Sequence, residues 1–210
     1  MKAVLFAVAM TLAAVPTWAD SSVPDPRSLA LAQRYMKATG GTYELIAQQS
    51  YVAAGIMGDT PTSHARQQAL LQAADLHRAE LDALDGQLET VLAQLFTADE
   101  LTVAVDFLES SQGRSITEKK HAYFTALFAR DRPALAFTPE ENAALAAFNG
   151  TPEAASMKVK SPTLLAQTVA LATPVQSAIR KSAQRIYCRE THKCTDDSGY
   201  DQLSGPSIRE

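Results

Sequence analysis

Three places in this 210-residue chain hold side chains whose types and spacing could do chemistry. His77 and Glu80 lie three apart, so a helix would present a ring nitrogen and a carboxylate side by side, as helical metal sites do. Such a site takes its other ligands from neighbouring helices, with His64 and His121 as candidates; the alternative is a histidine satisfied at the rim of a core. Cys188, His192 and Cys194 form C-x3-H-x-C. A structural zinc needs four ligands and a redox pair typically reads C-x-x-C, so a Cys188–Cys194 disulfide is the expectation, with a metal or redox site as the rival. Ser111, Gly113 and Arg114 stand where a helix is expected to begin, and backbone N–H groups at a helix start favour a carboxylate or phosphate. The alternative there is that Arg114 pairs with an acid of the preceding helix and fixes the turn. G-x-S-x-G, H-E-x-x-H and Walker motifs do not occur, and neither a cofactor nor a bound metal is expected.

The elements that would position these groups announce themselves through a phrase used twice. Residues 96–119 and 137–160 align without a gap at an offset of 41, and six of 24 positions are identical: the Phe, Thr, Glu, Phe, Ser and Lys of each copy. The period predicts a repeated structural unit. Within it, Thr97 with Glu100 and Thr138 with Glu141 have the T-x-x-E spacing of a capping box, in which the Thr oxygen accepts from the Glu N–H and the Glu carboxylate accepts from the Thr N–H. Phe96 and Leu101 add a hydrophobic staple to the first copy; the second has Asn142 in place of Leu101. Ser110 or Ser111 is expected to cap the next helix, with Gly113 in its first turn letting the preceding helix approach closely.

Around the phrase the pattern is helical throughout. Alanine, leucine and glutamine recur, and no segment alternates as a half-buried strand would. Asp25-Pro26 opens a first helix that ends at Gly40-Gly41, and Thr42 opens a second that ends near Gly58. A third runs from His64 to Leu95, with a break expected at Asp85-Gly86. After the second copy a helix is expected from about Pro162, restarting at Thr173-Pro174 because proline removes an N–H and clashes inside a helix. The expectation is an all-α fold: a single helical bundle of about seven helices over residues 20–194, with a duplicated helix-turn-helix unit and a short C-terminal disulfide loop. The polar stretch 195–210 is expected to be disordered.

Residues 1–19 read as a signal peptide: Lys2, an apolar run, and small residues before a cleavage point after Ala19. That implies export to the periplasm and fits a disulfide. No later stretch is long and apolar enough to span a membrane. A net charge of −4 argues against a general nucleic-acid binder. The charges are unevenly spread: nine acids and one base between Asp75 and Glu109, then five bases and two acids from Arg114 to Arg132. Two neighbouring helices with complementary solvated faces would account for this, or a surface for a charged partner. Near the end, Arg180, Lys181, Arg185, Arg189 and Lys193 face only Glu190, which suits a helix C-terminus or contact with anionic lipid, although the apolar stripe of that helix is expected to pack inward.

F-T-x-x-E-L, then Phe107, then S-x-x-G-R with Lys119 shortly after, resembles the domain of unknown function 2059 family, exported bacterial helical proteins without an assigned activity. The resemblance covers Phe96 to Lys120 and implies a helical exported protein; it brings no catalytic residues. Together these features point to a non-catalytic envelope interaction or scaffold protein, with an unknown envelope protein or peptide as partner. The alternatives are a holdase-like periplasmic chaperone and a metal-dependent enzyme centred on His77.

Overall fold

The computed structural model describes residues 23–42, 61–125 and 134–191. The expected signal peptide, the helix expected between Thr42 and Gly58, Cys194 and the tail 195–210 fall wholly or mainly outside them. Among the described residues all regular structure is helical: α1 (Pro26–Thr39), α2 (Pro61–Leu76), α3 (Arg78–Leu95), α4 (Ala98–Glu109), α5 (Ser111–Thr125), α6 (Pro139–Asn149) and α7 (Pro152–Thr191).

Local chemistry sets most boundaries. Asp25 caps α1, accepting from Ser28 N–H at 3.0 Å, and Pro26 follows at a position where no N–H is needed. Gly40 stops α1 in the left-handed region at φ 85°. Thr97 and Thr138 both form complete capping boxes with Glu100 and Glu141.

Two expected breaks are placed differently. The long third helix divides at His77, and Gly86 lies inside α3 with open space where a Cβ would stand. Asp85 instead receives the chain leaving α1: Oδ1 accepts from Thr42 N–H at 2.8 Å and from its hydroxyl at 2.6 Å. Nor does the chain restart at Pro162 or Pro174; both lie within α7, which runs unbroken for 40 residues, about 60 Å. The Thr173 hydroxyl donates to Val169 O at 2.6 Å rather than capping a new helix. Each proline removes one helical hydrogen bond. Burial of Ala172, Ile179, Ala183, Ile186 and Tyr187 along the helix offsets that loss.

The core has two lobes joined through α7. One is built by Leu31 and Met36 of α1, Leu84, Leu88 and Leu92 of α3, and Leu101 and Val105 of α4, with Phe96 between. The other sets Ala69 and Ala73 of α2 and Leu81 of α3 against Ile179, Ala183 and Ile186 of α7, and Val175 packs against both. The C-terminal apolar stripe of α7 therefore faces inward. No helix among the described residues is long and apolar enough to cross a membrane.

Candidate functional site

The repeated phrase folds into two units that meet face to face. α4, a tight break and α5 form the first; α6, a tight break and the start of α7 form the second. The breaks match atom for atom. Ser110 Oγ donates to Phe107 O at 2.7 Å and accepts from Gly113 N–H at 2.9 Å. Forty-one residues on, Thr151 Oγ1 donates to Phe148 O at 2.8 Å and accepts from Ala154 N–H at 3.1 Å.

Between the units the Lys–Glu and Ser–Glu contacts are returned with the roles exchanged. Lys119 Nζ reaches the capping carboxylate of the second copy, at 2.7 and 2.6 Å from Glu141 Oε1 and Oε2. Lys160 Nζ reaches that of the first, at 2.8 and 2.7 Å from Glu100 Oε1 and Oε2. Ser115 donates to Glu141 at 2.7 Å, and Ser156 hydrogen-bonds Glu100. Phe107 and Phe148 stack on each other near the centre, centroids 4.6 Å apart and planes 16° off parallel. This is the reciprocity of a two-fold dimer interface, realised inside one chain. It accounts for five of the six identities: both Thr cap, both Glu cap and accept, both central Phe stack, and both Ser and both Lys cross to the other copy. Lys160 also lies 5.7 Å from the Phe96 ring centroid.

The copies part company where their surroundings differ. α1 packs on α4 and buries Leu101 and Val105, whereas the equivalent Asn142 and Ala146 of α6 are exposed. A staple is kept where it has a core to enter and replaced by a solvated residue where it does not.

Both carboxylates are held ionised. At Glu141, hydrogen bonds from Lys119, Ser115 and the Thr138 N–H outweigh burial and bring the pKa to about 2. At Glu100 burial is the largest influence and pushes up, but Lys160, Ser156 and the Thr97 N–H together still hold it below the usual carboxylate range. Since the folded value of Glu141 is depressed, its contribution to stability is complete above the ordinary value of 4.5 and is lost as pH falls from there through about 2. Lys119→Met removes the largest cause. Its acid unfolding, followed by circular dichroism, is expected at a higher pH than that of the wild type; coincident curves would show that the pair does not resist acid.

The other candidates are also in use. His77 sits at the joint between α2 and α3, with Nε2 at 2.9 Å from Ser182 Oγ and Nδ1 at 3.3 Å from Glu80 Oε1. Arg185 donates to the same Ser182 oxygen at 3.1 Å. The order serine, histidine, carboxylate is that of an activated nucleophile, but Ser182 is only 7% exposed and lies deep inside α7. Backbone N–H groups in a helix interior are engaged with carbonyls one turn back, so none is aimed at a developing oxyanion. The cluster fastens the α2–α3 joint to α7. Among the described residues no three His, Cys, Asp or Glu side chains converge to share a metal ion.

At the start of α5, Gly113 N–H is taken by Ser110 and the Ser111 hydroxyl donates to Gln112 Oε1 at 2.8 Å, so both groups have partners within the turn. Arg114 is exposed and lowers the pKa of Glu109 at a distance, while Arg34 makes the direct two-pronged bond to that carboxylate, at 3.1 and 2.5 Å. Nor do the acid-rich and base-rich stretches simply pair with each other: Glu100 and Glu109 are met by Lys160 and Arg34, and Lys119 turns to Glu141. Sequence reading found the caps but missed the exchange between copies; the Ser and Lys identities, which capping leaves unused, were the available signal. Cys188 is in the last turn of α7. No known protein family, curated protein or solved structure matches this chain.

Proposed function

We propose that this chain is an exported, non-catalytic interaction or scaffold protein of the cell envelope, and that its working surface is the stretch of α7 around Leu165 and Val169. One observation carries the reading: Val159, Leu165 and Val169 are 80, 65 and 53% exposed on a single stretch of that helix. Isolated exposed apolar residues are ordinary, whereas Leu165 and Val169, four residues apart, share a face, with Val159 near them but further round the helix, and such a cluster marks a contact surface. The partner is the apolar face of an envelope protein or peptide. The polar groups of the repeated phrase support the reading from the other side, because they are engaged in capping and in joining the two units. Export rests on residues 1–19, and a Cys188–Cys194 disulfide would close the chain just beyond α7. We take the two copies as one helix-turn-helix unit duplicated within the chain, in keeping with its resemblance to the domain of unknown function 2059 family. That resemblance rests on the quoted residues alone.

The same face favours one second reading, a holdase-like chaperone, and a single experiment separates them. A photo-crosslinking amino acid at Leu165 in the exported protein is expected to give one discrete adduct, lost in Val159→Lys/Val169→Lys. A ladder of many adducts would mean a holdase, and no adduct would overturn both readings.

A further inference from the structure

The last third of α7 carries a second surface of different chemistry. Lys181, Arg185 and Arg189 are all exposed and stand four residues apart, so they form one ridge along about 12 Å of helix. None of them makes an ion pair among the described residues, and Arg185 gives one hydrogen bond to Ser182. From Arg180 to Glu190 the only acid is Glu190 itself.

Stabilisation of the helix end explains part of this row at most. Arg189 lies in the last turn of α7, where a cation offsets the partial negative charge of the terminus. That influence fades within a turn, so it does not reach Lys181 and barely reaches Arg185. Like charges at i, i+4 and i+8 repel along an exposed face. On the adjoining helices α2 presents Arg66 against Tyr187, α3 begins with Arg78, and Glu80 is engaged with His77; the exposed acids Asp75 and Asp82 stand on the same two helices, and among the described residues neither forms an ion pair with the ridge. The chain as a whole is acidic, at −4, so this ridge is a local positive pole on a negative body.

We infer that the ridge docks on an anionic lipid surface. The cations stand on the exposed side of a single helix, whose apolar side, with Ile179, Ala183 and Ile186, is already in the core. A straight row of flexible cationic side chains suits a flat array of phosphates. The acidic remainder of the molecule is repelled by the same surface, which leaves the ridge as the face that approaches. Contact is electrostatic and shallow, and it does not draw on the apolar residues of the proposed partner surface.

The test is flotation of the mature protein with vesicles of mixed phosphatidylglycerol and phosphatidylcholine, compared with phosphatidylcholine alone. Binding is expected only to the anionic vesicles, and is expected to disappear at high salt. Each cation near such a surface contributes a factor of about five, so Lys181→Gln/Arg185→Gln/Arg189→Gln should weaken partitioning about a hundredfold. An unchanged circular dichroism melt confirms that the variant is folded; if it is not, the three single substitutions each carry the same test at about fivefold. Failure of the wild type to float with anionic vesicles at low salt, equal binding to neutral ones, or full binding by the variant would each overturn the inference. Crosslinking at Leu165 is read separately, so either surface can fail while the other stands.

Discussion

Glu100→Ala is expected to destabilise the fold by about 2–4 kcal/mol, a fall in Tm of about 5–15 °C for a chain of this size. One carboxylate does three things: it accepts from the Thr97 N–H at 2.7 Å, anchors Lys160 through both oxygens, and takes a hydrogen bond from Ser156. Removing it leaves an orphan donor at the start of α4 and a Lys160 ammonium, 29% exposed, without its partner. Lys160→Met should be milder, because Glu100 keeps the Thr97 and Ser156 bonds. The double variant is therefore expected to be more stable than the sum of the two losses implies, and that difference measures the link between copies. Urea unfolding of the four proteins provides it, and strict additivity would mean that the Lys160–Glu100 contact holds nothing together.

Gly113→Ala is expected to cost about 1–3 kcal/mol even though alanine is the better helix former. A Cβ on Gly113 would overlap the Phe107 carbonyl oxygen and come within 3.0 Å of Leu108 Cα. Both obstacles are backbone, so α4 itself would have to move, and Phe107 would carry the disturbance into its stack on Phe148. The second copy supplies the control. Ala154 occupies the equivalent place and is buried with its Cβ accommodated, so Ala154→Gly should lose only the ordinary helix penalty of about 0.5–1 kcal/mol. Thermal melts of the two variants would decide the matter, and equal losses would show that the close approach is not what Gly113 is for.

How much of this was legible beforehand depended on the range of the interaction. Both capping boxes, the Asp25-Pro26 start and the Gly40 stop are settled by groups within four residues of one another, and each stands where its spacing predicts. The joint at His77 and the unbroken passage of α7 through Pro162 and Pro174 were not legible. Local preference argued for a break at Gly86 and a restart at Pro174, but the buried faces of α3 and α7 outweigh about 1 kcal/mol for the glycine and about 3 for each proline. The candidate residues depended on the fold for a related reason: His77, Ser111 and Gly113 have residue types suited to catalysis or anion binding, and their neighbours in space show what they touch, Ser182, Gln112 and Ser110.

By itself the amino-acid order determined that this protein is helical, where several of its helices begin and end, and that one 24-residue phrase occurs twice, because capping and periodicity act through neighbours along the chain. Tertiary structure alone decided that the two copies clasp each other through Lys119–Glu141 and Lys160–Glu100, since those partners lie 22 and 60 residues apart and meet only when the helices pack. It also decided which apolar residues of α7 enter the core and which remain outside. Burial belongs to a residue's surroundings, and the chain's order fixes those only through the fold.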